Sequence, residues 1–486
     1  MKKFLIVLLC LLLVLGIGGY FGYRYVLDTY LVMDGEFIRR DVTALDLTED
    51  DLAELEKVTE LHNLKMLDLR GTSLTTEQYD WLRAELPDCE IRWMIPFQGK
   101  RYHQTDSALS ISSITPEEME DLAYFENLTT IDATAMTDLE TVMALQDMYP
   151  QVEIAYQVAV GGQMLGKDAT ALTVENADLT ELEEKLQYLP AMADITFTGT
   201  VPENEAIYGF MQNWPGITCH WDFTFLGMAV SSDTAEIDIS GMGMDSMAEL
   251  EAGLKYFNHL EKVVMCDTGL PSQEIDDLWK RHPETRFIWN VWIGECNLRT
   301  DTTAFIPYTF GYTGVASDPN EKLHRDDFAE MKYLVDMVCM DLGHMRPGDI
   351  SFVSYMPNLE YLLLCDTEIR DISPIANCKK LKYLELFSNS ISDFSPLAGC
   401  TALEDVNLGF NPIKDISGLY ELENLKNIWI TGFSLKKEQR QMLEESHPDA
   451  RIVYATVSAV CDGWRELPNY YKQRDLLGMF YMKDDA

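Results

Sequence analysis

A chain of 486 residues with 80 acidic against 38 basic side chains carries a formal net charge of −42. That balance excludes a nucleic-acid binder, since a polyanion does not neutralise phosphates, and otherwise reads as a large solvated surface. The length is more than one globular core usually serves but suits an architecture that grows by adding layers.

Lys2 and Lys3 precede Phe4 to Tyr23, an uncharged and mostly apolar run closed by Arg24. About 20 such residues span a bilayer, and the leading lysines predict the N-terminus inside and the rest outside. Residues 1–23 are therefore expected to be a single-pass signal anchor, leaving the bulk of the chain extracytoplasmic. The alternative is a cleaved signal peptide and a secreted protein, with Gly16 to Gly18 as a poor cleavage site. Leu8 and Leu9 stand where a lipoprotein signal at Cys10 needs small residues, which removes that reading. Residues 24–41 are read as a juxtamembrane linker.

Val42, Leu45 and Leu47 return as Leu64, Leu67 and Leu69, a step of 22 residues, and an amphipathic helix is predicted from Thr75 to Glu85, broken by Pro87. A larger period follows. Pro87, Pro150, Pro215, Pro283 and Pro448 each precede an aromatic by six positions: Trp93, Tyr156, Trp221, Trp289 and Tyr454. After the first four come alternating apolar pairs, such as Ile95 and Phe97 or Val291 and Ile293, and then glycine. Residues 42–300 are thus predicted as four degenerate units of roughly 65 residues, each with two strands, one longer helix and a β-hairpin.

Residues 301–335 break the scheme with an aromatic, Gly-rich stretch from Pro307 to Pro319, read as an irregular junction or a binding loop. Residues 336–454 are regular. Leu359, Leu362 and Leu364 recur as Leu381, Leu384 and Leu386, as Leu403, Val406 and Leu408, and as Leu425, Ile428 and Ile430, again at 22 residues. Thr367, Asn389 and Asn411 follow, then Ile369, Ile391 and Ile413, then Asp371, Asp393 and Asp415. Alternation turns Leu362 and Leu364 inward. A buried Asn amide is expected to satisfy the backbone groups that the turn strips of ladder partners. Asp, Ser and Pro favour a capped helical turn on the way back. Cys378 and Cys400 take Leu-like inward positions. Residues 455–486, aromatic and amphipathic, are expected to cap the open end of the stack, or to serve as a docking helix.

This pattern resembles the leucine-rich repeat, in the 22-residue variety of internalin-like bacterial surface proteins. The resemblance is specific over about 359–435 and weaker, though periodic, over 42–300. It implies an α/β leucine-rich repeat solenoid, a curved parallel β-sheet with helices and 3₁₀ turns on the convex side, here with β-hairpin insertions and an N-terminal transmembrane helix. It also implies recognition of a protein or carbohydrate at the cell surface. No Leu-Pro-x-Thr-Gly signal is present, so attachment is expected through the N-terminus and the chain's own membrane.

No catalytic motif is found, so no enzymatic activity, cofactor or metal is expected. The cysteines match no zinc spacing and are read as mostly free thiols. The central outward residues of the early strands, Asp46, Asp68, Ser110, Asp132, Thr173, Thr196 and Asp238, form a polar, acidic row, which is a solvated face unless its oxygens converge on calcium. In the regular repeats the outward positions become aromatic with flanking polar groups. Tyr361, Tyr383, Glu385, Phe387, Asn407 and Trp429 are the candidate ligand-binding patch, unless the C-terminal cap or the Gly-rich loop covers them. The function expected is cell-surface recognition or adhesion. The alternative is an envelope scaffold that associates with membrane partners through its C-terminal segment.

Overall fold

The computed structural model describes residues 19, 22, 24–33, 35–307, 323, 325–432, 435–456 and 458–479. The expected anchor and most of the Gly-rich loop therefore lie outside the described residues. Among those described, no helix is long and apolar enough to cross a membrane. The chain divides into two compact units, 1–220 and 221–486.

Within the stretch read as a linker, residues 24–29 are helical and Tyr30–Met33 pairs with Glu36–Arg39 in an antiparallel hairpin. Alternation explains it: Leu31 and Met33 are buried while their neighbours Val32 and Phe37, paired across the strands, face outward. Three parallel sheets of three strands follow. They comprise Ala44–Asp46, Met66–Asp68 and Glu90–Arg92; Ala108–Ser110, Thr130–Asp132 and Glu153–Ala155; and Ala171–Glu175, Asp194–Thr198 and Thr218–His220. Hairpins at 94–103 and 157–166 stand between them in the chain. Each unit was expected to hold two such strands, and the third, just before the hairpin, is a correction.

The aromatic six residues after each proline marks where that third strand stops. The Trp93 N–H leaves the ladder and donates to Gln104 Oε1 at 3.1 Å. In the second unit the Trp221 N–H donates to Ser232 Oγ at 3.1 Å and the Trp289 N–H to Thr300 Oγ1 at 3.2 Å. In all three the acceptor lies eleven positions downstream, on the far side of the hairpin, so the same bond ends one strand and fixes the hairpin's register. The helices are locally encoded. Thr76–Glu85 begins with a reciprocal pair, Gln78 N–H to Thr75 Oγ1 (3.3 Å) and Thr75 N–H to Gln78 Oε1 (3.0 Å), and ends before Pro87.

The second unit carries the hairpins 222–231 and 290–299 and a three-stranded sheet of Glu236–Asp238, Lys262–Val264 and Arg286–Ile288. A seven-stranded parallel sheet follows in strict chain order: Ala304–Phe305, Cys339–Asp341, Tyr361–Leu363, Tyr383–Glu385, Asp405–Asn407, Asn427–Trp429 and Arg451–Val453. From Cys339 to Asn427 the paired residues are 22 apart. The seven-stranded sheet therefore starts at Ala304–Phe305, ahead of the Gly-rich stretch in the chain. Return segments are 3₁₀ turns at Ser351–Tyr355, Ser373–Asn377, Ser395–Gly399 and Ser417–Leu419.

Closing a layer after a three-residue strand strands several backbone groups, and buried side chains take them up. Asn389 Oδ1 accepts from the N–H groups of Thr367 (3.0 Å) and Ile369 (3.3 Å), and its Nδ2 donates to the carbonyls of Leu364 (2.6 Å) and Leu386 (2.9 Å). Asn411 repeats the pattern toward Ile391, Leu386 and Leu408. Cys378 and Cys400 are buried as expected, and their thiols reach the Val353 and Ile375 carbonyls of the preceding layer. One feature that pattern-reading did not anticipate is a left-handed residue at each strand exit: His344, Asp366, Ser388, Phe410 and Gly432, again 22 apart. Their N–H groups, from His344 to Phe410, extend the ladder to the next layer at 2.7–3.1 Å.

Replacing Asn389 by Ala leaves the Thr367 and Ile369 N–H groups buried without partners, each costing about 1–3 kcal/mol where water cannot reach, while the Leu364 and Leu386 carbonyls keep the Thr367 hydroxyl and the Asn411 amide. Asn389→Ala is therefore expected to lower stability by roughly 3 kcal/mol or more, read as a shift of the urea midpoint. A cost of about 0.5 kcal/mol, typical of exposed sites, would show that the amide is not what closes the layer.

Candidate functional site

Parallel strands lie about 4.8 Å apart, so equivalent outward side chains of successive layers stack into continuous rows. In the second unit one row contains Tyr361, Tyr383 and Asp405, and the next contains Asp341, Leu363, Glu385, Asn407 and Trp429. The sequence places five of these in an exposed ligand patch. Instead they are covered: Tyr361, Tyr383, Asn407 and Trp429 are 0% exposed and Glu385 4%. Only Phe387, just past its strand, is half-buried.

The cover is the chain's own C-terminal segment, residues 458–479. Gly463, at a left-handed φ of 78°, swings the chain inward, where a side chain would meet the Arg451 guanidinium at 3.0 Å. Trp464 then inserts, fully buried, stacked on Tyr383 at 5.2 Å and edge-on to Trp429 at 5.1 Å. Its Nε1–H donates to Glu385 Oε1 at 2.8 Å, and the Tyr383 hydroxyl donates to the same oxygen. The Trp429 Nε1–H donates to the Cys461 carbonyl at 3.1 Å and Asn407 Nδ2 to the Ala459 carbonyl at 2.8 Å. Leu467 packs into the same cluster. In the helix Pro468–Leu476, Asn469 Nδ2 donates to Asp405 Oδ2 at 3.0 Å and Glu404 Oε2 at 3.2 Å, and the Lys472 ammonium lies 5.7 Å from the Tyr361 ring centre.

Of the two readings left open by the sequence, an exposed patch or one covered by the C-terminal segment or the Gly-rich loop, the second describes Tyr361, Tyr383, Glu385, Asn407 and Trp429, because an apolar row of that size is stabilised by burying it and a neighbouring aromatic segment does so. The C-terminal segment does not cap an open end or present a free docking helix, because its Trp464, Leu467 and Asn469 are spent on the concave face. Sequence reasoning singled out the segment but missed those three as site residues. The signal available was Trp464 itself, an aromatic immediately after a glycine in a chain region outside the repeat.

Closure takes carboxyl groups out of water. Burial holds the Glu385 carboxyl above the usual carboxylate range, opposed by the Tyr383 and Trp464 bonds. Burial likewise raises Asp405, opposed by Asn427 and Asn469, and pushes Asp341 up to about 6. The basic side chains facing them are Arg465 and His344 toward Glu385, His344 and Arg474 toward Asp341, and Lys426 toward Asp405.

In the degenerate layers the acidic row has a local explanation. Asp68, Asp132 and Asp238 each accept, through Oδ1, the N–H two residues ahead, at 3.1, 3.0 and 2.9 Å. These bonds end the strands. They also lower the carboxyl pKa values, with the Arg70 side chain the larger cause at Asp68, Thr134 at Asp132 and Ser240 at Asp238. Ser110 and Thr173 are exposed and Thr196 half-buried. Among the described residues no group of three or more His, Cys, Asp or Glu could hold a metal.

A raised folded-state carboxyl stabilises closure fully below the open-state value near 4, and that stabilisation is lost as pH rises through the folded value, about 6 for Asp341. Backbone deuterium uptake over 464–476, corrected for intrinsic exchange, is expected to be slower at pH 5 than at pH 7.5. Glu385→Gln, which does not ionise, should shrink the difference. Protection independent of pH in the parent chain would remove the buried carboxyls from any part in closure.

Comparison with known proteins gives a match of residues 357–399 to the family model described as Leucine Rich repeats (2 copies). No curated protein matches the chain. Among solved structures, internalin C2 of Listeria monocytogenes is 21% identical over 27% of this chain and 70% of its own, with a TM-score of 0.23. An internalin F structure from the same organism is 14% identical over 93% of this chain and 90% of its own, at a TM-score of 0.25. A leucine-rich repeat protein of Leptospira interrogans is 14% identical over 91% and 95%, at 0.24.

Proposed function

We propose, from the premise that this is a leucine-rich repeat protein of internalin type, that the chain is a recognition protein of the cell surface. It binds a protein partner on the concave face of the sheet at 304–453. The apolar run at 4–23 holds it in its own membrane with the repeats outside. One observation carries the reading: the concave face already accommodates a peptide segment through a buried tryptophan and side-chain bonds to backbone and amide groups. Such anchoring is how protein interfaces concentrate their binding energy. A glycan is the weaker fit, because the row offers Leu363 and Cys339 beside its aromatics and buries its carboxylates.

Phe410 tests this. It sits at a left-handed strand exit with 37% of its surface exposed. A photo-reactive phenylalanine analogue at this position, in the full chain on intact cells, is expected to cross-link one surface protein. The yield should rise several-fold when Trp464→Ala loosens the cover, and external protease should shave off the repeats. Repeats protected from protease in intact cells, or no cross-link in either form, would overturn the assignment.

A further inference from the structure

Resting on that reading, we infer that the C-terminal segment is a resident stand-in for the partner, and that the partner presents the same chemistry: a tryptophan, an apolar residue three positions on and a carboxamide five positions on. Segment and face are complementary at three points. Trp464 fills the gap between Tyr383 and Trp429, and its indole N–H meets Glu385 Oε1. Phenylalanine would fill the gap but take one of two donors from a buried carboxyl oxygen, leaving Glu385 Oε1 to the Tyr383 hydroxyl, and a site built around such a bond discriminates against ligands that lack it. Leu467 lies three positions on, in the same apolar cluster. Asn469 donates one amide group to both Glu404 and Asp405, where an aspartate would put a third carboxylate against two.

The same contacts show that the resident is an imperfect occupant. Gln473 is 1% exposed, yet its Oε1 has no hydrogen-bond partner, and neither has the Arg474 Nε beside it. Buried polar atoms are nearly always paired, so the second half of the helix leaves bonds for a better-fitting chain to make. The segment competes only because it is tethered, which supplies a high effective concentration for a weak intrinsic fit. A partner with the same three anchors and a better second half displaces it.

The experiment uses the full chain with a specific protease site placed at 456–457 and cut after folding, so that the segment is held by contacts alone. A fluorescent peptide of residues 461–479 is expected to exchange into the cut protein and to bind the uncut protein at least tenfold more weakly. Peptides carrying Trp464→Phe or Asn469→Asp should bind the cut protein at least tenfold more weakly than the parent peptide. As a second arm, the intact chain with Trp464→Ala and Asn469→Ala should take up the parent peptide. Equal binding of the three peptides, failure to exchange in both arms, or segment exchange between two copies seen as a dimer by sedimentation would overturn the inference. A protein cross-linked at Phe410 that lacks such a turn would overturn it too, while leaving the recognition function standing.

Discussion

Each layer of the second unit has to end its strand after three residues without abandoning backbone hydrogen bonds in the interior, and everything else in that unit follows from how this is done. Asn389 and Asn411 each join two layers, taking N–H groups from the preceding one and giving to carbonyls on both sides. Because the amide must arrive at the same depth each time, the spacing cannot drift from 22 residues. A constant spacing stacks like positions into rows, and rows of outward side chains make a face. The left-handed exit residues serve the same end, turning each chain out of its strand while their N–H groups continue the ladder.

The two kinds of layer use that geometry differently. Where outward positions are Asp68, Asp132 and Asp238, the carboxylates are consumed by their own turns and the face stays wet. Where they are Tyr361, Tyr383 and Trp429, the face is too apolar to stand in water, and the carboxylates among them are carried out of solvent with it. Glu385 and Asp405 are held there by uncharged donors, namely indole, phenol and amide groups. Such donors satisfy geometry without bringing a countercharge into contact, and burial holds both carboxyls above their usual range.

Much of this was legible in the sequence because it is local. The 22-residue step, the inward Cys378 and Cys400, the amide at 389 and 411, and the proline-to-aromatic interval all depend on neighbours within one or two layers. The third strand of each early sheet was legible only as part of the hairpin: Ile91, Trp93, Ile95 and Phe97 alternate as one run, and nothing in that alternation shows that the parallel ladder ends at Arg92 and the hairpin starts at Met94. That the C-terminal segment or the Gly-rich loop could cover the aromatic row was open from the sequence, but which of them does so and through which side chains was not legible: Trp464 reaches Glu385 across 79 positions, from outside the repeat, and outward positions obey no repeating rule that could betray what lies over them.

The thiols have a consequence beyond packing. Cys378 and Cys400 are fully buried, and burial pushes them up to about 11 and about 12, so in a closed layer neither is a thiolate and neither reacts. Each is bonded to the carbonyl of the layer before it. Separating two layers therefore restores an ordinary, reactive sulfur at the seam. In an oxidising medium every such opening is a chance for irreversible modification, so the working lifetime of the stack is set by how seldom its seams part, and the modified cysteine records which seam it was.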